Sequence, residues 1–396
     1  MYNSFKVLLV ISMIAISGDS MLMHDFSYSI PRYSVTLSGI GPGDISILEE
    51  KGFLIEWAGR GTAILYVDAD MEQMLWRLGY NPVPVPVTVP LEPYPTLQEI
   101  YDAMDSVVAA HPDICRKVTI GSSIMGREIE AVVVSDNPFV EEIEPELRIH
   151  GGIHGDEPAS CTTTLHFLQV LTDNCATSPM CEYLVNNAET WVIPVLNPDG
   201  YYYVQRTNAN GVDLNRNFSY KGPGGGGGAY AFSEPETSAL RDLTMQNWPE
   251  VENFINPFTA GLSMHGGWTF ISSPWNYDAT AVLQDTLLML EQGYQYADSD
   301  GILAYFGVDF DVFVPGGIVF EANGDVNDWS YGECGTVDYT LEVHEDFFVS
   351  DWPGVANAHY MAIVEFFTGC TYGIWGTVTD LSGNPIDANL EIGLYE

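Results

Sequence analysis

The segment His154-Gly155-Asp156-Glu157 places a histidine and a carboxylate three residues apart. Further along the chain, Ser263-Met264-His265-Gly266 presents a second histidine, and Tyr339-Thr340-Leu341-Glu342-Val343 carries a carboxylate within a β-rich run. Imidazole and carboxylate groups are ligands that zinc binds at catalytic centres. Each pattern occurs often by chance, so the chemistry depends on whether these distant residues meet in one site.

Other motifs accompany these residues. Asn197-Pro198-Asp199-Gly200 makes a turn after a strand-like run, residues 208–217 read NANGVDLNRN, and Asn327-Asp328-Trp329 precedes the TLE motif at Glu342. In this order, over roughly residues 95–370, the set closely resembles the zinc metallocarboxypeptidases of the carboxypeptidase A and T type, peptidase family M14. The resemblance implies an α/β fold in which helices flank a central mixed sheet, with a zinc site at one end of that sheet.

Carried over position by position, the resemblance implies one zinc ion per catalytic domain, bound by His154, Glu157 and His265. The fourth coordination position is left to water, as catalytic zinc sites require. Glu342 is implied to be the general base that takes a proton from this water. Arg206, which precedes the NANG segment, is implied to stabilise the oxyanion together with the metal.

The same resemblance implies that Asn215 and Arg216 hold the terminal carboxylate of a peptide. A planar guanidinium can bind both carboxylate oxygens, and such a clamp would make the enzyme an exopeptidase. Asp213 matches the acid that orients the first zinc histidine and raises its basicity. The alternative interpretation of Asp213 is an ordinary turn residue.

The substrate pocket contains one departure from the family pattern. Phe320 occupies the position of the family's mobile tyrosine, so a phenol that could donate a hydrogen bond to substrate is missing. Unless Tyr331 or another hydroxyl substitutes, we expect weaker carboxylate binding or turnover. Asn327 falls where the family sets side-chain preference. Because Asn is neutral and polar, the preference stays open, with a lean to polar and apolar C-terminal residues.

The elements that must position these residues follow from hydrophobic periodicity, which alternates between strand-like and helix-like segments from Thr96 onward. The predicted strands are Ile129–Val134, Leu147–Ile149, Trp191–Val195 and Tyr339–Val343. The predicted helices are Leu97–Ala110, Ser160–Leu171, Ser233–Gln246 and Thr280–Ala297. This alternation predicts an α/β domain with a mostly parallel or mixed sheet. The glycine run 224–228 predicts a flexible surface loop between them.

Segments on both sides of this domain have their own character. Residues 1–20 place Lys6 before a short apolar run and predict a signal peptide. Residues 21–91 predict a small α+β module with a Pro-rich linker, similar to the pro-segments of such enzymes. Residues 92–370 form the predicted catalytic domain. Residues 371–396 resemble the start of a truncated, transthyretin-like β-sandwich of regulatory type.

Composition narrows the classes of protein that this chain can be. Apolar residues make up 46% of the sequence, which allows a sizeable core and excludes global disorder. The formal net charge of −41 argues against a nucleic-acid partner, since phosphate binding needs a basic patch. A solubility or salt-adapted surface, or attraction of cationic substrates, would explain this charge. No apolar run reaches the about 20 residues of a membrane span, so we expect a soluble, exported protein that is monomeric.

The six cysteines fit an oxidising, extracellular compartment, because their number is even. Cys175 and Cys181 flank a short polar loop and are the predicted disulfide pair.

The predicted function is zinc-dependent removal of C-terminal residues from peptides and proteins. Two alternatives stay open on the sequence alone. One is a zinc hydrolase of the same fold that acts on cell-wall peptides or N-acyl amino acids, since a carboxylate clamp fits any free carboxylate. The other is a catalytically silent member that binds peptides, which Phe320 would favour and the intact ligand set disfavours.

Overall fold

The structure is a computed structural model, and it describes residues 33–59, 61–67, 69–84, 93–140, 142, 144–245, 258–278, 280–307, 310–313 and 322–372. Several predicted features lie outside the described residues: the signal peptide 1–20, most of the Pro-rich linker, Phe320, and nearly all of the predicted β-sandwich segment 371–396.

Residues 33–84 form a small α+β unit around its own core. Its elements are β1 Tyr33–Ser38, α1 Pro42–Glu50, β2 Leu54–Gly59, β3 Thr62–Val67, α2 Ala69–Leu78 and β4 Val83–Pro84. The strands form an antiparallel sheet in the order β2-β3-β1-β4. Alternate residues Val35 and Leu37 of β1 and Leu65 of β3 are buried against Leu48 of α1, which is the period-2 pattern that the sequence suggested.

The following residues build the large sheet that the sequence predicted. Its strands are β5 Cys115–Ser122, β6 Glu128–Val134, β7 Glu146–His150, β8 Glu189–Ile193, β9 Phe258–His265, β10 Trp268–Ser272, β11 Asp311–Phe313 and β12 Val337–His344. Their order is β11-β10-β12-β9-β7-β8-β6-β5. The pairs β7-β8, β7-β9, β9-β12 and β10-β11 are parallel, and the other pairs are antiparallel. The sheet is therefore mixed, and the α/β prediction is confirmed.

Helices cover this sheet. They are α3 Leu97–Ala110, α4 Pro158–Asp173, α5 Pro179–Asn187, α6 Pro198–Tyr203, α7 Pro235–Met245, α8 Thr286–Ala297, α9 Asp300–Phe306, α10 Val326–Trp329 and α11 Trp352–Cys370. Residues Val132 and Val134 of β6 enter one apolar core, whereas Ile129, Ala131 and Val133 enter another. Because successive side chains of a strand point to opposite faces, this split means that both faces of the sheet are buried.

The three central parallel strands β7, β9 and β12 carry two different faces. On one face Ile149, Leu262, Met264, Leu341 and Val343 join the core that includes α4 and α11. The alternate positions hold polar residues, namely His150, Ser263, His265, Thr340 and Glu342. These residues lie at or near the carboxyl ends of their strands, which in parallel sheets open onto a crevice where ligands bind.

The predicted Cys175–Cys181 disulfide is not formed, and all six cysteines are free thiols in the structure. Cys181 is fully buried in the first turn of α5, whereas Cys175 is half-buried in the turn before it. The backbone N–H of Cys181 donates to Ser178 Oγ, so a helix cap closes the short loop where a disulfide was expected. Among the described residues, the helices are too short or too polar to span a membrane.

Candidate metal centre and active site

His154, Glu157 and His265 meet in space despite their separation in sequence. His154 Nδ1 lies 2.7 Å from Glu157 Oε1, and His265 Nδ1 lies 3.2 Å from His154 Nδ1 and 3.1 Å from Glu157 Oε2. All three side chains are almost completely buried. Two imidazoles and one carboxylate therefore converge on a common point, as the sequence predicted for a metal site.

Close backbone packing fixes the loop that carries the first two of these residues. This loop joins the end of β7 to α4, with Glu157 preceding Pro158 at the first position of the helix. Only glycine fits at position 155, because a Cβ there would overlap the carbonyl carbon of Gly200. The HGDE and NPDG motifs therefore pack directly against each other, and this contact requires the glycine at position 155.

Asp213 and Arg206 hold His154 from behind. Asp213 Oδ1 lies 3.1 Å from His154 Nε2, and Arg206 Nε donates to Asp213 Oδ2 at 3.1 Å. Burial raises the pKa of the Asp213 carboxyl, but Arg206 and His154 outweigh burial and hold this pKa well below its usual value. Asp213 also caps the short helical turn Leu214–Arg216 by accepting from the Asn215 backbone N–H at 3.0 Å. It thus ties the first histidine to the segment that contains the predicted clamp.

The electrostatics of this cluster favour positive charge at the point of convergence. Burial and Arg206 lower the pKa of His154, but Glu157 and Asp213 outweigh them and raise it to about 9. Burial raises the pKa of Glu157, and the two histidines outweigh it and hold that pKa well below its usual value. The carboxylates of Glu157 and Asp213 thus favour positive charge at the His154 imidazole.

The donor set and its spacing fit zinc. The donor atoms are two imidazole nitrogens and a carboxylate oxygen, the mixture found in catalytic zinc sites that keep one position open. Their separations of 2.7–3.2 Å are slightly shorter than the roughly 3.3 Å between tetrahedral ligands at zinc bond lengths of about 2.0 Å. A small outward movement of the donor atoms would accommodate the ion, and the three residues are suited to hold it.

Glu342 lines the same cleft as the three candidate ligands. It is paired with His265 in the register of β12 and β9, and with Phe270 in the register of β12 and β10. Paired residues on neighbouring strands point to the same face, so the carboxylate stands beside the second histidine. The sequence therefore identified the acid that the fold brings to this site.

Asn215, Arg216 and Arg206 also line this cleft, so the structure brings together every residue predicted for metal binding, proton transfer and carboxylate binding. Arg216 Nη1 donates to its neighbour's carbonyl, Asn215 O, at 2.8 Å. The amide of Asn215 is held by the Val326 backbone N–H, which donates to Asn215 Oδ1 at 3.0 Å. The guanidinium and the amide are therefore fixed in place before a substrate arrives.

Residues 224–228 form a loop, as predicted, and two of its glycines, Gly224 and Gly227, pack closely against Arg216. The Gly224 N–H donates to Arg216 O at 2.8 Å, and a Cβ on Gly227 would overlap that same carbonyl oxygen. The Asp213 N–H donates to Gly226 O at 3.1 Å. The loop can approach the Arg216 backbone this closely because glycine has no side chain, and a Cβ at Gly224 or Gly227 would overlap neighbouring atoms.

The cleft contains about 860 Å³ of space between atoms, including solvent at its mouth. One part of it is polar and contains the residues described above. The remainder is largely apolar, with aromatic walls formed by Trp268, Phe270, Phe313 and Phe347. Ile64, from β3 of the N-terminal module, also lines the cleft, which the sequence did not reveal.

The predicted specificity residue Asn327 does not line the cleft. It is fully buried, and its Oδ1 accepts from Asn276 Nδ2 at 2.9 Å. Asn276 and Asp325 line the cleft in its place. Burial raises the pKa of Asp325 to about 6, although its carboxylate accepts from Asn276 Nδ2 and from the backbone N–H of Asp328. The helical turn of α10 directs Asn327 inward, which spacing to Trp329 could not show.

Tyr331, which the sequence offered as a substitute for the missing phenol, also lies outside the cleft. Tyr331 donates its hydroxyl hydrogen to Asp285 Oδ2 at 2.6 Å and is not among the residues that line the cleft. Phe320, the residue that motivated this expectation, lies outside the described residues.

Comparison with known proteins gives one family. The family model for zinc carboxypeptidases matches residues 100–350. Carboxypeptidase SOL1 of Arabidopsis thaliana is 28% identical over 66% of this chain and 51% of its own length. Carboxypeptidase D of Mus musculus is 25% identical over 72% of this chain and 22% of its own length. The chain thus spans about half of the first relative and about a fifth of the second.

Solved structures agree on the fold. The crystal structure of thrombin activatable fibrinolysis inhibitor superimposes with a TM-score of 0.69 at 19% identity, covering 87% of this chain and 100% of that one. Carboxypeptidase A from Helicoverpa armigera gives a TM-score of 0.69 at 17% identity, covering 86% of this chain and 97% of that one. The mixed sheet and its flanking helices therefore form a known arrangement.

Proposed function

Because this chain belongs to the zinc carboxypeptidase family, we propose that it removes single residues from the C-termini of peptides and proteins. The observation that carries this proposal is the convergence of His154, Glu157 and His265 beside Glu342. The buried guanidinium of Arg216 in the same cleft supports an exopeptidase, because it offers a planar pair of donors for a terminal carboxylate.

The proposed mechanism assigns each residue a role. Zn²⁺ held by His154, Glu157 and His265 would supply a Lewis acid that lowers the pKa of water to about 7. Glu342 accepts the proton from the attacking water and delivers it to the amine that leaves. Arg206, whose Nη1 lies 3.2 Å from His154 Nδ1, donates toward the oxygen of the scissile carbonyl as negative charge develops there.

The C-terminal residue of the substrate would occupy the space beyond the Arg216 clamp. Asp325 and Asn276 are polar groups there, and aromatic side chains form the nearby walls. We propose that Asp325 sets the side-chain preference, since a buried carboxylate favours a cationic side chain over an acidic one. Basic and apolar C-terminal residues would then be removed faster than acidic residues.

A peptide library tests the function. We expect mass spectrometry to show loss of single C-terminal residues, and a zinc chelator should reduce this loss to the level seen without protein. Added zinc should restore hydrolysis, because we expect the protein to stay folded when the ion is removed, with the three ligand residues in place to bind it again. Peptides with amidated C-termini, cell-wall fragments and N-acyl amino acids serve as comparison substrates. Internal cleavage, or hydrolysis that survives the chelator, would contradict the proposal.

Export is proposed from the N-terminal sequence. Lys6 precedes the mostly apolar run from Val7 to Ile16, which is too short for a membrane span of about 20 residues. The protein would act outside the cell on peptide C-termini, as a monomer.

We also propose that the N-terminal module restrains the enzyme until the linker is cut. Ile64 of this module is half-buried and lines the cleft that holds the candidate metal ligands. A substrate would have to displace this side chain or share the cleft with it. Residues 85–92 then provide a cleavage region between the module and the catalytic domain.

Weakening this contact should activate the uncut chain. For Ile64→Asp we expect kcat/KM on a C-terminal peptide to rise about 3–15-fold, because a half-buried Ile side chain contributes about half of the roughly 1.5–3 kcal/mol gained on full burial. Cutting an engineered site within 85–92 should raise it to the same level. Ile47→Asp is the matched control, since Ile47 is an exposed residue of the same module away from the cleft. Equal activity of cut and uncut protein would exclude this restraint.

A further inference from the structure

Two buried residues behind His265 take no part in the mechanism above. His150 is the last residue of β7, and Ser263 lies two residues before His265 on β9. Residues two apart on a strand share a face, so Ser263 and His265 point the same way. The parallel pairing of β7 with β9 sets His150 directly opposite Ser263. The register alone therefore aligns a histidine, a serine and a metal-ligand histidine.

The distances connect these three side chains in one line. His265 Nε2 lies 3.1 Å from Ser263 Oγ, which lies 3.1 Å from His150 Nε2. His150 and Ser263 have no exposed surface, and His265 is 2% exposed. Because an unpaired buried polar group is costly, the two contacts of Ser263 Oγ stabilise this arrangement, while His150 Nδ1 has no hydrogen-bond partner among the described residues.

The direction of these hydrogen bonds follows by elimination. A His265 that binds a cation through Nδ1 carries its proton on Nε2, so Nε2 needs an acceptor. Asn215 approaches to 3.5 Å, but its Oδ1 accepts from Val326 N, which turns its NH₂ group toward His265. Among the residues that the structure describes, Ser263 Oγ is thus the acceptor left to Nε2. If the Ser263 hydroxyl donates its own hydrogen to His150 Nε2, the His150 proton lies on Nδ1, which has no hydrogen-bond partner among the described residues.

We propose that Ser263 and His150 are positioning residues, forming a neutral hydrogen-bond relay that holds His265 with Nδ1 directed at the metal. The first histidine is held differently, because His154 Nε2 faces the carboxylate of Asp213. One ligand is thus oriented by a charged acceptor and the other by an uncharged one. A second carboxylate behind His265 would add negative charge to a buried site that already contains Glu157, Asp213 and Glu342, so the neutral relay orients the ring without that cost.

The relay makes a specific prediction about metal retention. Ser263→Ala should speed dissociation of Zn²⁺ into a chelator about 10–100-fold, the usual effect of removing a partner of a metal ligand. Ser263→Thr keeps the hydroxyl and should retain zinc like the wild type. His150→Leu should also speed dissociation, whereas His150→Gln, which can still accept through its amide oxygen, should restore most of the retention. The Co²⁺ form should show altered visible absorption bands in Ser263→Ala and His150→Leu only.

The double variant separates a relay from two independent structural roles. Because His150 acts only through Ser263, His150→Leu should add no further loss to Ser263→Ala. Thr163→Val is the matched control, since Thr163 is a buried residue whose hydroxyl has no hydrogen-bond partner among the described residues. We expect this variant to retain zinc like the wild type.

A measurement on the unaltered protein covers the case in which a variant does not fold. In the zinc-loaded protein labelled with ¹⁵N-histidine, NMR should find the proton of His150 on Nδ1 and that of His265 on Nε2. A proton on His150 Nε2, normal zinc retention by Ser263→Ala, or additive losses in the double variant would each overturn the relay. The inference rests on the proposed function, but the two fail differently: a chain that hydrolyses nothing yet holds zinc through this relay would contradict the proposed function alone.

Discussion

Glu342→Gln should lower kcat for peptide hydrolysis by about 10²–10⁴-fold, the contribution typical of a positioned general base. The substitution keeps the size of the side chain and its place beside His265 on β12. An amide cannot accept the proton of the attacking water, so the loss belongs to the chemical step. Zinc content should stay the same as in the wild type, because Glu342 is not one of the converging ligand atoms.

The control for this experiment is a second Glu→Gln substitution outside the cleft. Glu333 accepts a hydrogen bond from Ser219 Oγ and does not line the cleft, and Glu333→Gln removes the same unit of charge. It should leave kcat within a factor of about 2, since surface changes have small effects. Unchanged turnover in Glu342→Gln would remove Glu342 from the mechanism, and loss of zinc would reassign it to metal binding.

Local sequence signals were sufficient for some elements and misleading for others. The helix Leu97–Ala110 has the predicted bounds because Thr96 and Glu99 form a capping box at its first turn. The predicted start at Thr280 is wrong, and α8 begins at Thr286. The Asp278 side chain accepts from both the backbone and hydroxyl of Thr280, which stabilises a turn there.

Elements buried on both faces gave weaker signals. The strand Phe258–His265 is almost entirely buried, so its sequence lacks the alternation that identifies a half-buried strand. The helix Trp352–Cys370 buries residues around most of its circumference, which similarly weakens the helical period. The sequence therefore indicated the class of fold more clearly than it indicated every element.

Some residues of the candidate site could likewise be predicted from the sequence, and others could not. His154, Glu157, His265 and Glu342 lie within short motifs whose spacing is visible in the sequence. The positions of His150 and Ser263 opposite each other depend on strand register, which a single sequence does not reveal. Asp325 and Ile64 reach the cleft only through tertiary packing, one from the turn before α10 and the other from a separate module. The residues that sequence analysis missed are therefore those whose positions depend on strand register and tertiary packing.

Arg216→Ala should lower kcat/KM for peptides with a free C-terminus by about 10²–10⁴-fold, because hydrogen bonds to charged groups contribute about 1.5–3 kcal/mol each. Arg216→Lys should recover only part of this, since an ammonium group keeps the charge but cannot present two parallel donors. The turn should survive both changes, because the Arg216 carbonyl, and not its side chain, accepts from the Gly224 N–H. Steady-state kinetics on matched free-acid and amidated peptides would measure the effect.

The amidated peptide distinguishes loss of the clamp from general damage. Wild-type protein should hydrolyse the free-acid peptide with a much higher kcat/KM than the amidated peptide. In Arg216→Ala this difference should nearly vanish, because kcat/KM falls far more for the free acid than for the amide. Arg241→Lys is the control for the Lys variant, since Arg241 pairs with Asp242 outside the cleft. If Arg216→Ala kept the preference for the free acid, another group would have to bind the carboxylate. Asn215 would then be the first candidate, since it also lines the cleft and the Val326 N–H already occupies its Oδ1, which leaves the NH₂ group as its donor.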